Sequence, residues 1–423
     1  MNRPRAAIVV TGSELVRGER TDLNGPFLAR QALELGLEPA RVTIVGDRAD
    51  ELERALREGI VDADVCLVSG GLGPTHDDRT VELVARVAGL DLVVDGDLER
   101  RIEEISRGIA ARLHRPFADF VDSIRKQATI PAGAVVLGPA GTAPGLVVPA
   151  GRCVVVVLPG PPGELQQLWP SALETPLLAD VLARARRPGR RTMRFYGASE
   201  SAVAKALAAV GGDGDGVEAT ICARDFEIHV DLVVEQGAEQ RAAEIAAGLR
   251  APLGRYLFAE DERSVQQIVL DLCRGRGLTL ATAESCTGGL VAARLTSVPG
   301  SSDVFVGGVV AYSNDVKQRE LGVPPEVLER HGAVSAETVA AMADGARARL
   351  RADVAVAVTG VAGPGGGTVE KPVGLVFFHA AGPDGMAALR FELPGGREWI
   401  RSRSAVAALH LVRRLLEEAH GES

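Results

Sequence analysis

The chain has 423 residues, of which 46% are hydrophobic and 24% charged, as in soluble globular proteins with two or three cores. Its formal net charge of −9 excludes a general attraction to nucleic acid or to an anionic membrane, and favours small-molecule substrates. Five scattered cysteines without a CxxC pair imply neither a disulfide framework nor a thiolate zinc site, and fit a reducing compartment. The first apolar run turns polar at Thr11 and the longest, residues 153–158, is too short to span a bilayer, so we expect a cytoplasmic protein without a membrane partner.

Strand and helix patterns alternate in the first segment. Strands are predicted over residues 6–10, 41–45 and 65–68, and helices over residues 28–35 and 50–58. This βαβαβ order predicts an α/β domain with a parallel sheet that binds ligands at the carboxyl ends of its strands.

The loop that follows the third strand, SGGLGPTHDD, has the composition of a phosphate site. Its glycines let the backbone approach an anionic ligand closely, and its carboxylates suit a divalent ion that bridges phosphates. Alternatively, Asp77 or Asp78 only caps the helix that begins near Thr80. The predicted site consists of Gly70, Gly71, Gly73, Thr75 and Asp47 for a nucleotide, and of Asp77 and Asp78 for the metal.

Four motifs, TGSELVRGERTDLN, SGGLGPTHDD, GTAPG and LPGPPGEL, together resemble the molybdopterin-binding-like domain of the CinA (competence/damage-inducible) family. The resemblance covers residues 1–170 and implies a three-layer α/β fold, similar to that of molybdenum-cofactor insertion proteins. It also implies metal-dependent ADP-ribose pyrophosphatase activity at Asp47 and residues 70–78. Binding of molybdopterin, or adenylyl transfer, is the alternative activity.

The second segment, residues 171–258, contains a basic stretch at 183–191 that we interpret as a boundary or an exposed linker. A strand, a helix, two strands, a helix and a strand follow, which predicts a small α+β layer similar to the KH-like middle domain of CinA proteins. Its loop GGDGDG has a Gly-x-x-Gly spacing, but Asp213 and Asp215 would repel a phosphate backbone. We therefore expect a spacer or interface element and no nucleic-acid partner.

The third segment, residues 259–423, begins with a strand-to-helix corner, ATAESCTGGLVAARL. An apolar run ends at Ala283, and helical spacing resumes at residue 290. Such a corner suits an oxyanion or a phosphate, and Ser285 is the leading candidate for the reactive atom. Alternatively, Ser285 only caps the helix, or Cys286 is the nucleophile, although a buried structural thiol is the more common role for a cysteine.

Two further strand ends carry polar loops, at residues 312–314 and 359–364, and neither contains a histidine. A serine needs a base, and Lys317 serves if burial lowers its pKa. We expect the N–H groups of Gly288 and Gly289 to hold the oxyanion, and the small loop Thr359, Gly360 and Gly363 to bind a phosphate. The mostly apolar strands predict an α/β domain whose sheet is covered on both faces.

The motifs AESCTGGL, PGSSDVFVGGVVAYSNDVK, GAVSAET and AVTGVAGPGGGTVEKPVGLV closely resemble the C-terminal CinA domain, a family of nicotinamide mononucleotide deamidases. The resemblance implies hydrolysis of the carboxamide without a cofactor, with Ser285 as nucleophile and Lys317 as base. It also implies that Tyr312, Asn314 and Thr359 orient the substrate, that Arg401 or Arg403 supplies phosphate charge, and that the protein is a homodimer. A non-enzymatic role in DNA uptake or recombination is the competing hypothesis, which the acidic composition disfavours.

Overall fold

A computed structural model describes residues 3–418 of the protein. The chain forms two compact units, of which the first ends at Gly189 and the second begins at Arg190. Within residues 3–418, no helix has both the length and the apolar character that a membrane span requires.

The first unit is a three-layer α/β domain, as the sequence predicts. Its strands are β1 (Arg5–Thr11), β2 (Glu38–Val45), β3 (Val65–Ser69), β4 (Leu92–Val94), β5 (Thr129–Pro131), β6 (Val135–Ala140), β7 (Ala143–Ala150) and β8 (Cys153–Leu158). Its helices are α1 (Ser13–Val16), α2 (Asn24–Glu34), α3 (Ala49–Asp62), α4 (Thr80–Ala88), α5 (Gly96–Leu113), α6 (Val121–Gln127), α7 (Pro162–Leu173) and α8 (Pro176–Leu182).

The main sheet of this unit has the order β2–β1–β3–β8–β7–β6. Helices α2, α7 and α8 pack on one face, and α3, α4 and α5 pack on the other. Strands β3 and β8 are buried on both sides, which explains their uninterrupted apolar sequences. The parallel pairing that the βαβαβ order predicts is confirmed for β1, β2 and β3, and β8 pairs with β3 in parallel as well. Strands β7 and β6 continue the sheet in antiparallel pairing, because tight turns at residues 141–142 and 151–152 connect them to their neighbours.

The predicted domain boundary at residue 170 lies inside α7. Trp169 of this helix is buried in the core below the sheet, and the unit continues to Gly189. The basic stretch at 183–191 crosses the boundary between the units, and arginines on both sides of it form ion pairs: Arg184 lies 3.3 Å from Asp64 in the first unit, and Arg191 lies 3.1 Å from Glu260 in the second.

The second unit begins with the predicted small α+β layer. Its elements are β9 (Gly189–Tyr196), α9 (Glu200–Ala209), β10 (Val217–Arg224), β11 (Glu227–Val234), α10 (Glu239–Leu253) and β12 (Leu257–Ala259), and its sheet has the order β10–β11–β9–β12. We call this layer the middle domain.

An α/β domain completes the second unit. Its strands are β13 (Leu280–Glu284), β14 (Phe305–Val310), β15 (Val354–Gly360), β16 (Leu375–Gly382) and β17 (Gly385–Glu392). Its helices are α11 (Val265–Gly275), α12 (Leu290–Thr296), α13 (Asn314–Leu321), α14 (Pro325–His331), α15 (Ala336–Leu350) and α16 (Arg397–Glu418). The sheet order is β14–β13–β15–β16–β17, with α11, α12 and α16 on one face and α13 to α15 on the other.

The prediction that this sheet is covered on both faces is correct for its centre and wrong for its edges. Strands β13 and β15 are buried almost throughout, whereas β14 and β17 alternate between partly buried and exposed residues. Parallel pairing of β14, β13 and β15 brings the carboxyl ends of these three strands, and the polar loops that follow them, to one edge.

A buried polar cluster joins the middle domain to α16. His410 Nε2 lies 2.8 Å from a carboxylate oxygen of Glu227, and Arg413 Nε donates to His410 Nδ1 at 3.3 Å. Since an arginine only donates, Nδ1 accepts and the imidazole is neutral, in keeping with burial that lowers the pKa of His410 to about 4. The Tyr196 ring stacks on His410 at 3.7 Å, so the cluster is packed as well as hydrogen-bonded.

Candidate active sites

A buried carboxylate organises the corner between β13 and α12. Glu284, which is 1% exposed, accepts hydrogen bonds from the N–H groups of Gly289 (2.9 Å), Val291 (3.1 Å) and Ala292 (2.9 Å). The carboxylate thereby satisfies the free N–H groups at the start of α12 and neutralises the positive end of the helix dipole. The corner can turn this sharply because Gly288 and Gly289 adopt left-handed conformations, with φ of 60° and 94°.

The prediction that Gly288 and Gly289 hold an oxyanion is therefore wrong. The Gly289 N–H is bound to Glu284, and the Gly288 N–H donates to the Ser285 carbonyl oxygen at 3.1 Å. Within the described part of the chain, neither the Cys286 N–H nor the Thr287 N–H has an oxygen acceptor, and both lie against the Cys286 thiol, which is a weak acceptor. These two N–H groups are the ones that remain for a ligand.

The Ser285 hydroxyl faces a lysine rather than the backbone. Its Oγ lies 3.1 Å from Lys317 Nζ, and the N-cap of α12 is Gly289, without a side-chain hydrogen bond. The alternative that Ser285 caps the helix is therefore wrong. Burial raises the pKa of the neighbouring Cys286 thiol to about 12, so this rival nucleophile is protonated at neutral pH.

Lys317 is held inside the domain by the start of α13. Ser313 caps this helix by accepting from the Val316 N–H at 3.2 Å, and the lysine, one residue further on, turns inward and is 1% exposed. Its Nζ also donates to the Ala311 carbonyl oxygen at 2.7 Å. Burial lowers the pKa of Lys317, and none of the carboxylates within residues 3–418 forms an ion pair with it.

Arg397, in the first turn of α16, ties the other two strand-end loops together. Its guanidinium donates to the Gly363 carbonyl oxygen and to the Tyr312 hydroxyl, each at 2.8 Å. The Thr359 hydroxyl donates to the Ala333 carbonyl oxygen at 2.7 Å, so towards a ligand it acts only as an acceptor. Asn314 begins α13 and is exposed.

The glycines of the loop after β15 have a packing role. A side chain at Gly360 would place Cβ 2.7 Å from the Leu375 carbonyl oxygen, and one at Gly363 would place it 2.6 Å from Val373. These contacts explain the need for glycine without a phosphate. The glycines therefore no longer support the prediction that Thr359, Gly360 and Gly363 bind a phosphate, and this prediction stays untested.

The two arginines that the sequence proposed for phosphate charge lie in different surroundings. Arg401 donates to the carbonyl oxygens of Cys286 at 3.1 Å and of Thr287 at 2.8 Å. Arg403 lies over the Trp399 and Phe226 rings instead, at 5.1 and 5.4 Å from their centroids. Only Arg401 therefore touches the corner that carries Ser285. Sequence reasoning missed Arg397 altogether, although its spacing of four residues from Arg401 places both on one face of α16.

In the first unit, the glycine loop after β3 packs tightly against its neighbours. Gly70 and Gly71 have φ of 103° and 66°, and a Cβ on them would lie 2.5 Å from the Thr11 carbonyl oxygen and 2.1 Å from Thr80 Oγ1. The buried Thr80 hydroxyl donates to the Gly70 carbonyl oxygen at 2.8 Å. Only glycine fits at these two positions, as the sequence predicts.

Asp77 and Asp78 do not cap α4. The N-cap is Arg79, without a side-chain hydrogen bond, so the capping alternative is wrong. Asp78 instead accepts from the Thr75 N–H at 2.9 Å, and the Thr75 hydroxyl donates to Asp77. This hydrogen bond lowers the pKa of Asp77.

A cavity of about 410 Å³ opens beside this loop, and Lys126 reaches the Thr75 carbonyl oxygen from across it. The polar and glycine residues of its lining are Gly71, Gly73, His76, Asp78, Arg79, Glu82, Lys126, Gln127 and Thr129. Sequence reasoning missed Lys126, because this residue lies far from the loop in the chain.

A second cavity, of about 420 Å³, lies where β1 and β3 end. Asn24 lines it and is 6% exposed; its Nδ2 donates to Ser69 Oγ at 2.9 Å and to the Gly160 carbonyl oxygen at 2.7 Å, while its Oδ1 has no partner within the described residues. Asp47 serves the neighbouring loop by accepting from the Ser13 hydroxyl at 2.6 Å and from the Thr11 hydroxyl at 3.2 Å. Asp47 therefore positions the rim of this cavity.

The carboxylates of the first unit fit a metal that takes most of its ligands from a substrate. Across residues 3–418, no three His, Cys, Asp or Glu side chains converge as a protein-only metal site requires. Two adjacent carboxylates, Asp77 and Asp78, suit a hard divalent cation that completes its shell with phosphate oxygens and water.

Comparison with known proteins gives matches over nearly the whole chain. Residues 7–179 match the family model "Probable molybdopterin binding domain", and residues 262–416 match "CinA C-terminal domain". Proteins named CinA-like protein are similar to the chain: that of Mycolicibacterium paratuberculosis is 48% identical, over 98% of this chain and 99% of its own, and that of Mycobacterium tuberculosis is 47% identical, over 99% and 98%. Among solved structures, the competence/damage inducible protein CihA from Agrobacterium tumefaciens is 41% identical over 38% of this chain and 99% of its own, with a TM-score of 0.35.

The role of Glu284 can be tested by stability. Glu284→Ala leaves three N–H groups at the start of α12 without an acceptor, and we expect it to lower the free energy of unfolding by about 2–4 kcal/mol. Glu284→Gln keeps one acceptor oxygen and is expected to fall between this variant and the wild type. Urea unfolding measures both, with Glu320→Ala on the exposed side of α13 as control. Equal midpoints for Glu284→Ala and the control would contradict the assignment.

Proposed function

The chain belongs to the CinA family, and on that premise we propose that its C-terminal α/β domain hydrolyses nicotinamide mononucleotide to nicotinate mononucleotide and ammonia. The observation that carries the proposal is the 3.1 Å contact between Lys317 Nζ and Ser285 Oγ in a buried position. A hydroxyl beside an amine of lowered pKa is the arrangement of a Ser–Lys amidohydrolase.

The chemistry follows from these two groups. Neutral Lys317 takes the hydroxyl proton as Ser285 Oγ bonds to the carboxamide carbon, and the negative charge moves to the carboxamide oxygen. Lys317 returns the proton to the leaving nitrogen, which departs as ammonia and leaves an ester on Ser285. Water then attacks the ester, with Lys317 again as base, and releases the carboxylic acid.

The reaction also requires hydrogen-bond donors that stabilise the oxyanion, and we propose that the corner between β13 and α12 provides them. The N–H groups of Cys286 and Thr287, which have no oxygen acceptor among residues 3–418, directly follow Ser285, so they are placed to donate to the carboxamide oxygen when it becomes an oxyanion. We propose that Tyr312, Asn314 and Thr359 orient the nucleotide and that this domain needs no cofactor. From the family resemblance, we further propose a cytoplasmic homodimer that acts in pyridine nucleotide salvage.

For the first unit, we propose hydrolysis of the pyrophosphate of ADP-ribose. One cavity is lined by Ser69 and the other by Gly71, residues that flank Gly70 in the chain, which supports a ligand with one group in each cavity and phosphates between them. Lys126 and Arg79 supply positive charge. Asp77 and Asp78 would hold a divalent ion, and the ion supplies charge neutralisation for the leaving phosphate when it is bound.

We expect Ser285→Ala to abolish ammonia release from nicotinamide mononucleotide, because the attacking oxygen is removed. Cys286→Ala is the matched control and should retain much of the activity, because its thiol is buried and protonated. An enzyme-coupled ammonia assay measures both variants. If Cys286→Ala were inactive and Ser285→Ala active, the nucleophile would have to be reassigned.

A chelator should abolish release of AMP from ADP-ribose and leave ammonia release unchanged. Asp78→Ala is expected to do the same, since it removes a metal ligand from one unit only. AMP and ammonia measured in parallel from the same preparation test this separation. Retained AMP release in Asp78→Ala would return Asp78 to a purely structural role, and tight binding of molybdopterin in place of ADP-ribose would favour the alternative function.

A further inference from the structure

We propose that Arg401 is a positioning residue that fixes the oxyanion-binding N–H group beside Ser285. The inference rests on the proposed deamidase function. Arg401 Nε donates to the Cys286 carbonyl oxygen at 3.1 Å, and Nη2 donates to the Thr287 carbonyl oxygen at 2.8 Å. One planar guanidinium thus holds two successive peptide units of the corner.

The orientation of the two N–H groups follows from the planarity of the peptide bond. Within residues 3–418, the cis peptide bond is confined to Gly363–Pro364, so the peptides of the corner are trans, and each N–H points opposite to the carbonyl of its own unit. With both carbonyls turned to Arg401, the N–H groups of Thr287 and Gly288 leave the turn on the other side. The Gly288 N–H reaches the Ser285 carbonyl oxygen on that side, so the Thr287 N–H, whose neighbour in the absence of substrate is the weakly accepting Cys286 thiol, also lies on the Ser285 side of the turn.

The charge of Arg401 strengthens this donor. A cation at the carbonyl end of a peptide unit draws electron density towards the oxygen and makes the N–H of the same unit a stronger donor. The Thr287 N–H belongs to the unit whose carbonyl accepts from Arg401 Nε. Arg401 itself forms and breaks no covalent bond, and no proton moves to or from it.

The residues around the corner leave room for the contact between Arg401 and the two carbonyl oxygens. A Cβ at Gly288 would lie 3.2 Å from Arg401 Nη2, so a side chain there would push against the guanidinium. Arg401 also comes from α16, one turn after Arg397, which fixes the loops that carry Tyr312 and Gly363. The first two turns of α16 therefore hold the three strand-end loops around the Ser285–Lys317 pair.

Steady-state kinetics distinguish a role of Arg401 in binding the substrate phosphate from a role in positioning the oxyanion donor. If Arg401 bound the phosphate, its loss would raise KM and would remove the preference for the nucleotide over the unphosphorylated riboside. If Arg401 positions the Thr287 N–H, its loss weakens an interaction made in the transition state, so kcat falls while KM and the preference remain.

The test measures kcat and KM for ammonia release from nicotinamide mononucleotide and from its riboside, using the full-length chain. For Arg401→Ala we expect kcat to fall about 10²–10³-fold, as for the loss of an oxyanion donor, with KM changed by less than about threefold. Arg401→Lys keeps the positive charge but cannot bind both carbonyl oxygens at once, so we expect a smaller loss of kcat at unchanged KM. If Arg401→Ala does not fold, the inference is tested with Arg401→Lys. Arg390→Ala, an exposed arginine paired with Glu392, is the control.

Unchanged kcat in both Arg401 variants would overturn the inference. So would a KM that rises more than about tenfold together with equal kcat/KM for nucleotide and riboside, because that pattern belongs to phosphate binding. Absence of ammonia release by the wild type would instead refute the proposed deamidase function, and the inference with it. The two failures are therefore distinguished by the wild-type assay alone.

Discussion

The burial of the Lys317 amine without a carboxylate partner is the constraint on which the proposed chemistry depends. Removal from water disfavours the charged form of an amine, and a nearby carboxylate would cancel the effect. Among the residues from 3 to 418, the hydrogen-bond partners of Lys317 are the Ser285 hydroxyl and the Ala311 carbonyl oxygen. A neutral amine meets both: it donates one hydrogen to the carbonyl and offers its lone pair to the hydroxyl. The same burial that would be a cost for a structural lysine thus suits Lys317 to the role of base that we propose.

Several surrounding residues together hold Ser285 within hydrogen-bond distance of the Lys317 amine. Glu284 occupies the N–H groups at the start of α12, so the helix end does not compete for the Ser285 hydroxyl. From α16, Arg401 reaches the corner and Arg397 reaches the other two strand-end loops, and further along this helix His410 binds Glu227 of the middle domain. One helix therefore contacts both the candidate active site and the middle domain, which makes the middle domain part of the scaffold of the second unit.

The sequence predicted most of the elements and the central pair, because these are encoded locally. Buried strands such as β3, β8 and β15 read as continuous apolar runs, and the chemistry of serine and lysine at two neighbouring strand ends identified Ser285 and Lys317. The prediction of the oxyanion donors was wrong, because the sequence does not show that the Glu284 side chain turns to the Gly289 N–H or that the Gly288 N–H closes onto the Ser285 carbonyl oxygen. Lys126, Arg397 and Asn24 were missed because distant segments bring them to the sites. The domain boundary at 170 failed because Pro170 lies within α7 rather than ending it.

The protonation state of Lys317 tests the central claim most directly. The chain contains four lysines, Lys126, Lys205, Lys317 and Lys371, and none of the other three is buried. Nuclear magnetic resonance of the full-length protein with labelled lysine side chains therefore gives few signals, and Lys317→Met identifies the one of interest. The account predicts that Lys317 loses its proton well below the other lysines. Titration of all four near the ordinary value of about 10.4 would contradict it.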